Sequence, residues 1–334
     1  MKFATFDIAQ AQGCVLAHTV HLPGGIIKKG RILSALDIAV LRAADIATVM
    51  AARLAADDVA EDEAARRIAT ASCGAGLEVG PAFTGRNNLL ALTDGLAVIA
   101  RETLIALNSI DEGLTIATVA PFERVERGQL VATIKIIPFA LAAGVVAAAE
   151  SMLRASPPVI AVAPYAKRDA GLILTRVAGM KASLIDKRIR AIRTRLEALG
   201  SSLAEHETVA HDTAAVSRAI AGQAKAGRNP ILVFGASAIV DRGDVIPQAL
   251  ADAGGEVRHV GMPVDPGNLL MVGRIADADV IGVPSCATSP KLNGFDWVLA
   301  RLIAQLPVGR AEIVAMAPGG LLTEIPARPQ PRGG

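Results

Sequence analysis

The chain has 334 residues, of which 52% are hydrophobic and 20% charged, with a net charge of +2. That length carries two domains of ordinary size with substantial cores. The near-neutral charge and the 3% aromatic content argue against nucleic acid as a partner, duplex or single-stranded. Cys14, Cys73 and Cys286 lie far apart with no C-x-x-C, so no disulfide framework is read and the cytoplasm is the expected compartment. The opening MKFATFDIAQ has no long apolar core of the signal-peptide kind. The most apolar run, 136–149, contains Pro138 and falls short of the roughly 20 residues that span a bilayer. No membrane partner is expected.

Residues 1–155 are punctuated by glycine, with short strands and few long helices, and are expected to form an α+β, β-rich region. Within it, FTGRN at 83–87 and VERGQLVAT at 125–133 place a small β-barrel or sandwich over about 81–138. His18 and His21 have no further ligands nearby in sequence and read as structural. The run Ala155-Ser156-Pro157-Pro158 marks the expected domain boundary, giving an α/β domain over 156–326 and a Pro/Gly tail over 327–334.

After that boundary, strands and helices alternate. A strand is expected at 159–163. The run 184–199 is an amphipathic helix, with Ile185, Ile189, Ile192, Leu196 and Leu199 on one side. Ser183 and Asp186 outline a capping box and Gly200 stops the helix. Lys187, Arg188, Arg190, Arg193 and Arg195 read as its solvated face. A second helix covers 214–226, capped by Asp212 or Thr213. Then come a buried strand at 231–234, a small-residue turn, and a helix that closes at Gly254-Gly255. Strands at 269–275 and 279–283 and a helix at 295–305 complete the pattern. Alternating βαβ units of this length specify a three-layer α/β/α domain around a mostly parallel sheet.

The segment ILVFGASAIVDRGDVIPQAL at 231–250 carries the sharpest chemical signal. Strand, small-residue turn and helix form the layout by which α/β proteins hold phosphate at a helix N-terminus. There is no G-x-G-x-x-G and no G-K-[ST], so it is neither a dinucleotide fingerprint nor a P-loop. Gly235, Ala236, Ser237 and Ala238 let a ligand approach backbone N–H groups, and Ser237 adds a hydroxyl. An ordinary βα turn without ligand has the same pattern. Asp244 falls at or beside the helix N-cap and Pro247 in the first turn. Ser285, Thr288, Ser289, Lys291 and Asn293 form a donor-rich loop after the last strand, where such sheets bind ligands. Lys291 suits phosphate as a point charge; a solvated loop is the other reading.

Gly235-Ala236-Ser237 followed by DVIPQAL at 244–250 resembles the loop that defines the molybdopterin-binding domain of molybdenum-cofactor biosynthesis. Ala236 stands where a second glycine is usual, and the loop is one residue longer before Asp244. EALG at 197–200 followed by TVAHD at 208–212 resembles that family's helix end and V-x-D-D turn, with His211 in place of the first aspartate. VDPGN at 264–268 resembles its K-P-G-K-P lead-in, and VPSCA at 283–287 stands where L-P-G-N-P is usual. The resemblance covers 157–326. Upstream, GCVLA at 13–17, IKKGRILS at 27–34, LDIAVL at 36–41 and IATV at 46–49 resemble the entry segments of molybdopterin molybdotransferases.

The resemblance implies molybdopterin as cofactor, with Mg²⁺ at Asp244, and transferase-type chemistry with Asp244 and Asp241 as catalytic carboxylates. The cofactor would lie against Gly235, Ala236, Ser237, Ala238, Pro284, Ser285, Ser289 and Lys291. The departures at Ala236 and at 283–287 leave an alternative, a carrier that holds cofactor without turnover for a fused or separate nucleotidyltransferase. A plain N-cap role is the other reading for Asp244. A nucleotidyltransferase domain after the tail and a homo-oligomer are further expectations.

Overall fold

The computed structural model describes residues 1–155, 158–265 and 268–322. The chain divides into two units, Met1–Pro164 and Tyr165 onward. Among the described residues the first unit holds two clusters of buried apolar side chains. In one, the antiparallel strands Lys2–Asp7, Thr48–Arg53 and Val15–Leu16 pair with Thr48–Arg53 in the middle, and Phe6, Leu16 and Ile38 and Leu41 of the helix Ala35–Ala43 share the interior. That helix opens on a capping box in which Ser34 and Asp37 satisfy each other's backbone N–H.

The other core lies among the antiparallel strands Leu114–Thr118, Leu130–Ile136, Arg86–Ala91 and Leu77–Val79, with Ile68, Leu89, Ile134 and Val146 at its centre. Helices Glu61–Ser72 and Ala143–Ala155 contribute to it. The strand expected at 159–163 is present as Ile160–Pro164, but it pairs antiparallel with Gly95–Ile99 of this first unit. Its pattern explains the choice. Ile160 and Val162 are buried while Ala161 and Ala163 are half-buried. That alternation suits a one-faced antiparallel sheet better than a parallel sheet buried on both faces.

The second unit alternates strands and helices, with strands at Asp169–Arg176, Ser202–Ala210 and Glu256–Met262 in addition to those expected. Its elements are β1 (Asp169–Arg176), α1 (Ala182–Glu197), β2 (Ser202–Ala210), α2 (Thr213–Lys225), β3 (Ile231–Phe234), α3 (Val245–Asp252), β4 (Glu256–Met262), β5 (Asn268–Ile275), β6 (Ala278–Val283), α4 (Gly294–Ile303) and α5 (Arg310–Val314). The six strands order as β2-β1-β3-β6-β5-β4. β2, β1, β3 and β6 are parallel, and β5 is antiparallel to both neighbours. The mixed α/β class with a mostly parallel sheet is therefore as read. β4 was not anticipated: Glu256, Arg258 and His259 break up its apolar alternation. β2 was read only as a helix end and turn. Its Glu205 and Glu207 are charges of the kind an edge strand carries to discourage further pairing.

Helices cover both faces. Ile173, Ile231, Val233 and Val280 pack with Val216 and Ile220 of α2 and Ile246 and Leu250 of α3. Their neighbours along each strand, Leu172, Leu174, Leu232, Phe234 and Ile281, are also fully buried and face the opposite layer, where α1 lays Arg188 over the Phe234 ring. All four residues of β3 are wholly buried, as expected of a central parallel strand. The capping box outlined at Ser183 and Asp186 does not form. α1 starts at Ala182 after Lys181, with no side-chain cap, so Ser183 already lies inside the first turn. Asp212 caps α2 by accepting from the Ala215 N–H. Among the described residues no helix is long and apolar enough to cross a membrane.

Candidate functional site

The carboxyl edge of the second sheet collects most of the polar residues singled out above. Phe234 is level with Leu174 on one side and Val283 on the other. Thr175, Gly235 and Pro284 therefore leave the sheet in one row. The chain runs outward from β1 to β2, then crosses back to β3. Loops diverge at such a switch point, and α/β sheets place ligands in the resulting crevice.

A chain of hydrogen bonds occupies this point. The Ala236 N–H donates to Thr175 Oγ1 at 2.6 Å. Thr175 Oγ1 lies 2.8 Å from His211 Nδ1, and His211 Nε2 lies 2.9 Å from Ser237 Oγ. The His211 backbone N–H donates to the Arg176 carbonyl at 3.2 Å, which holds that residue's backbone beside the end of β1. The direction of the chain follows from counting protons. Thr175 is wholly buried. Its oxygen already accepts from Ala236, and among the described residues His211 Nδ1 is the one acceptor for its hydroxyl hydrogen. With a neutral ring, Nδ1 then accepts, Nε2 donates to Ser237, and the Ser237 hydrogen is left free to donate outward. Ser237 is exposed. Successive donors polarise one another, so the chain presents a strengthened donor at the surface.

Gly235 makes the turn possible. A Cβ there would lie 2.6 Å from the Ser237 carbonyl oxygen and 3.0 Å from Ile246 Cδ1. The Gly235 carbonyl accepts from Arg188 Nη1 at 3.1 Å. Arg188 is only 6% exposed, and its guanidinium lies 4.2 Å from the Phe234 ring centroid. Burial lowers its pKa from the ordinary arginine value, though arginine stays protonated in proteins. It was read as part of a solvated face. Lys187, Arg190 and Arg193 are exposed as read, but Arg188 is turned inward, and so is Arg195.

Arg195 organises the loop after β6. Its Nε meets Asp296 Oδ1 at 2.7 Å, and Nη2 donates to the carbonyls of Ser289 at 2.6 Å and Lys291 at 3.3 Å. Asp296 also closes the capping box with Asn293 at the start of α4. Of the residues expected to line the site here, Pro284 is buried, while Ser285 and Lys291 are exposed. Ser289 Oγ accepts from the Lys291 N–H at 3.3 Å. No hydrogen bond joins Ser289 or Lys291 to Gly235–Ala238 among the described residues.

The two carboxylates engage their own backbone. Asp244 is the N-cap of α3, accepting from the Val245 N–H at 2.7 Å and, through its other oxygen, from the Val240 N–H at 3.1 Å. Asp241 accepts from the Gly243 N–H at 2.8 Å. Among the described residues no group of three or more His, Cys, Asp or Glu is placed to hold a metal ion. A shallow groove of about 590 Å³ lies along the β1–α1 connection at the same edge, with Met180 and Leu184 among its apolar lining and Lys181 and Lys187 as its cations.

Compared with models of known protein families, the chain matches none, and it matches no curated protein. Sequence reasoning passed over Thr175 and Arg188. Thr175 carried a usable signal, being a hydroxyl at the end of the wholly buried run Ala170 to Leu174. A buried hydroxyl must find partners. Arg188 carried none, because its neighbours on α1 are equally basic.

Proposed function

We propose that the second unit binds molybdopterin and serves molybdenum-cofactor biosynthesis, with transferase-type chemistry at the cofactor's phosphate or dithiolene end. The observation that carries this is the donor chain from Ala236 through Thr175 and His211 to an outward Ser237 hydroxyl, standing at the switch point of the sheet. A donor raised by a relay is suited to an anionic oxygen, and molybdopterin ends in a phosphate. The residues present fit such a group. Ser237 donates its hydroxyl, the small side chains of Gly235 to Ala238 let the ligand reach backbone N–H groups, and Lys181 and Lys187 supply positive charge along the adjoining groove. The dithiolene supplies the metal-binding chemistry. What this chain contributes is the orientation of the phosphate end. The sequence resemblance over 157–326 supports the same assignment.

A second reading, a carrier that holds cofactor without turnover, is favoured by Asp244. Both of its carboxylate oxygens accept backbone N–H bonds, which leaves it little freedom to act on a ligand. Anaerobic calorimetric titration with molybdopterin, with and without Mg²⁺ and ATP, tests binding. Turnover of the bound cofactor with ATP or molybdate then separates transferase from carrier. The transferase reading requires that Asp244→Asn abolish turnover while affinity persists. Binding by the wild type with no turnover leaves the carrier.

A further inference from the structure

Among the described residues Arg188 is a buried cation without a carboxylate partner. It is 6% exposed, and among the described residues its one protein hydrogen bond goes to the Gly235 carbonyl. Its Nε is fully enclosed and has no acceptor. The Phe234 face at 4.2 Å and one carbonyl dipole compensate part of the charge. Burying a guanidinium is costly unless it is paired, and residues of this kind seldom lie fully inside without a partner. The half-buried Arg195 shows the usual solution, a carboxylate at 2.7 Å. Among the described residues Arg188 has none, and its position points to where the missing negative charge belongs. It holds the carbonyl of the same residue whose turn presents Ser237.

We propose that Arg188 is the counter-charge for a phosphate group of the ligand, seated over the Gly235 to Ser237 turn, so that the unliganded protein carries an uncompensated cation that the ligand completes. The ligand class is a phosphomonoester, recognised by the guanidinium from within and by Ser237 from the surface. The assignment rests on the binding reading above for the location of the ligand. It goes further in making one buried residue set the affinity for the phosphate alone.

The test uses inorganic phosphate as probe, followed by thermal unfolding and calorimetry on the full chain, with sodium acetate as a singly charged control. The variants are Arg188→Met, which keeps the stem and removes the charge, and Arg188→Lys. Wild type is expected to be stabilised by phosphate and not by acetate. Arg188→Met is expected to bind phosphate about tenfold to a hundredfold more weakly, the loss of one charge-assisted bond. It is also expected to melt no lower than wild type without phosphate, because removing an unpaired buried charge relieves the fold. Arg188→Lys should bind at an intermediate level, lacking the planar fork. Equal phosphate protection of wild type and Arg188→Met overturns the proposal. So does a lower melting point of Arg188→Met with no phosphate response in either protein, which would make Arg188 a strut for the Gly235 carbonyl. The cofactor reading fails separately. Arg188-dependent phosphate binding without molybdopterin binding leaves the counter-charge standing and removes the cofactor. Molybdopterin binding that is unchanged in Arg188→Met does the reverse.

Discussion

His211 Nε2 lies 2.9 Å from Ser237 Oγ, although the two residues are 26 apart in sequence and leave the sheet from different strands. The contact exists because β1 lies between β2 and β3, so that Thr175 at its end can touch both loops: its hydroxyl meets His211 on one side and the Ala236 N–H on the other. A parallel sheet with a reversal of strand order thus turns three unremarkable residues into one directed chain of donors.

Thr175 is the middle of that chain and the test of its structural weight. Thr175→Val keeps the shape and deletes the hydroxyl, stranding the Ala236 N–H and His211 Nδ1. A loss of about 1–3 kcal/mol is expected for unpartnered groups of this kind. Thr175→Ser should recover most of it. Urea unfolding followed through Trp297, the single tryptophan and a residue of α4, reports on this unit.

Asp244 is expected to behave as a cap. Asp244→Ala should lower stability by about 1 kcal/mol, and Asp244→Asn, which can still accept from Val245, should recover most of that. Unfolding of the two variants side by side measures the difference. Equal losses in both would show that charge, rather than the N–H bonds, is what the site requires.

The legible part of this protein was the part set by local rules. The buried strand at 231–234, the N-cap at Asp244 and the helices expected at 184–199 and 214–226 follow from periodicity and capping chemistry, and each appears in the structure, whereas β1, which carries Thr175, had no counterpart in the reading. The strand at 159–163 was legible as a strand but not in its partner, because pairing is settled by the tertiary fold. β4 was hidden by Glu256, Arg258 and His259, which interrupt its apolar residues. The site was half legible. Small residues and Ser237 announced a turn suited to a ligand. His211 drew notice only as a departure from a pattern, and Arg188 and Arg195 were masked by a helix in which five basic residues fall within nine positions. Which of these turns inward depends on where the sheet lies beneath the helix, and α1 carries two different answers: Arg188 over Phe234, Arg195 against Asp296.

Arg195 and Asp296 have side chains 10% and 8% exposed. Removing one partner of so enclosed a pair leaves a buried charge, and Arg195→Ala is expected to cost about 3–5 kcal/mol. The double variant with Asp296→Ala should lose less than the sum of the two single losses. Hydrogen exchange over residues 289–293 should rise in Arg195→Ala, since the Ser289 and Lys291 carbonyls lose their donor.

The first unit has its own pH signature. Hydrogen bonds from Arg67, at 2.9 and 2.7 Å to the two carboxylate oxygens, hold the Glu150 pKa below its ordinary 4.5. A lowered folded pKa means the contribution is complete above the unfolded value. It disappears as pH falls from about 4.5 through the folded value. Glu150→Gln should therefore be less stable than wild type at neutral pH, with the gap closing below pH 4.5. Unfolding measured across pH 3 to 7 checks it. A constant gap would assign the effect to shape rather than charge.

The most direct test of the account is an anaerobic calorimetric titration of wild type and Ser237→Ala with molybdopterin. Ser237 is the exposed end of the donor chain, and its loss should leave the fold intact. The account predicts that wild type binds and that Ser237→Ala binds about tenfold more weakly, the loss of one hydrogen bond to a charged group. Equal affinity in the two proteins, or no binding by wild type with or without Mg²⁺ and ATP, would contradict it.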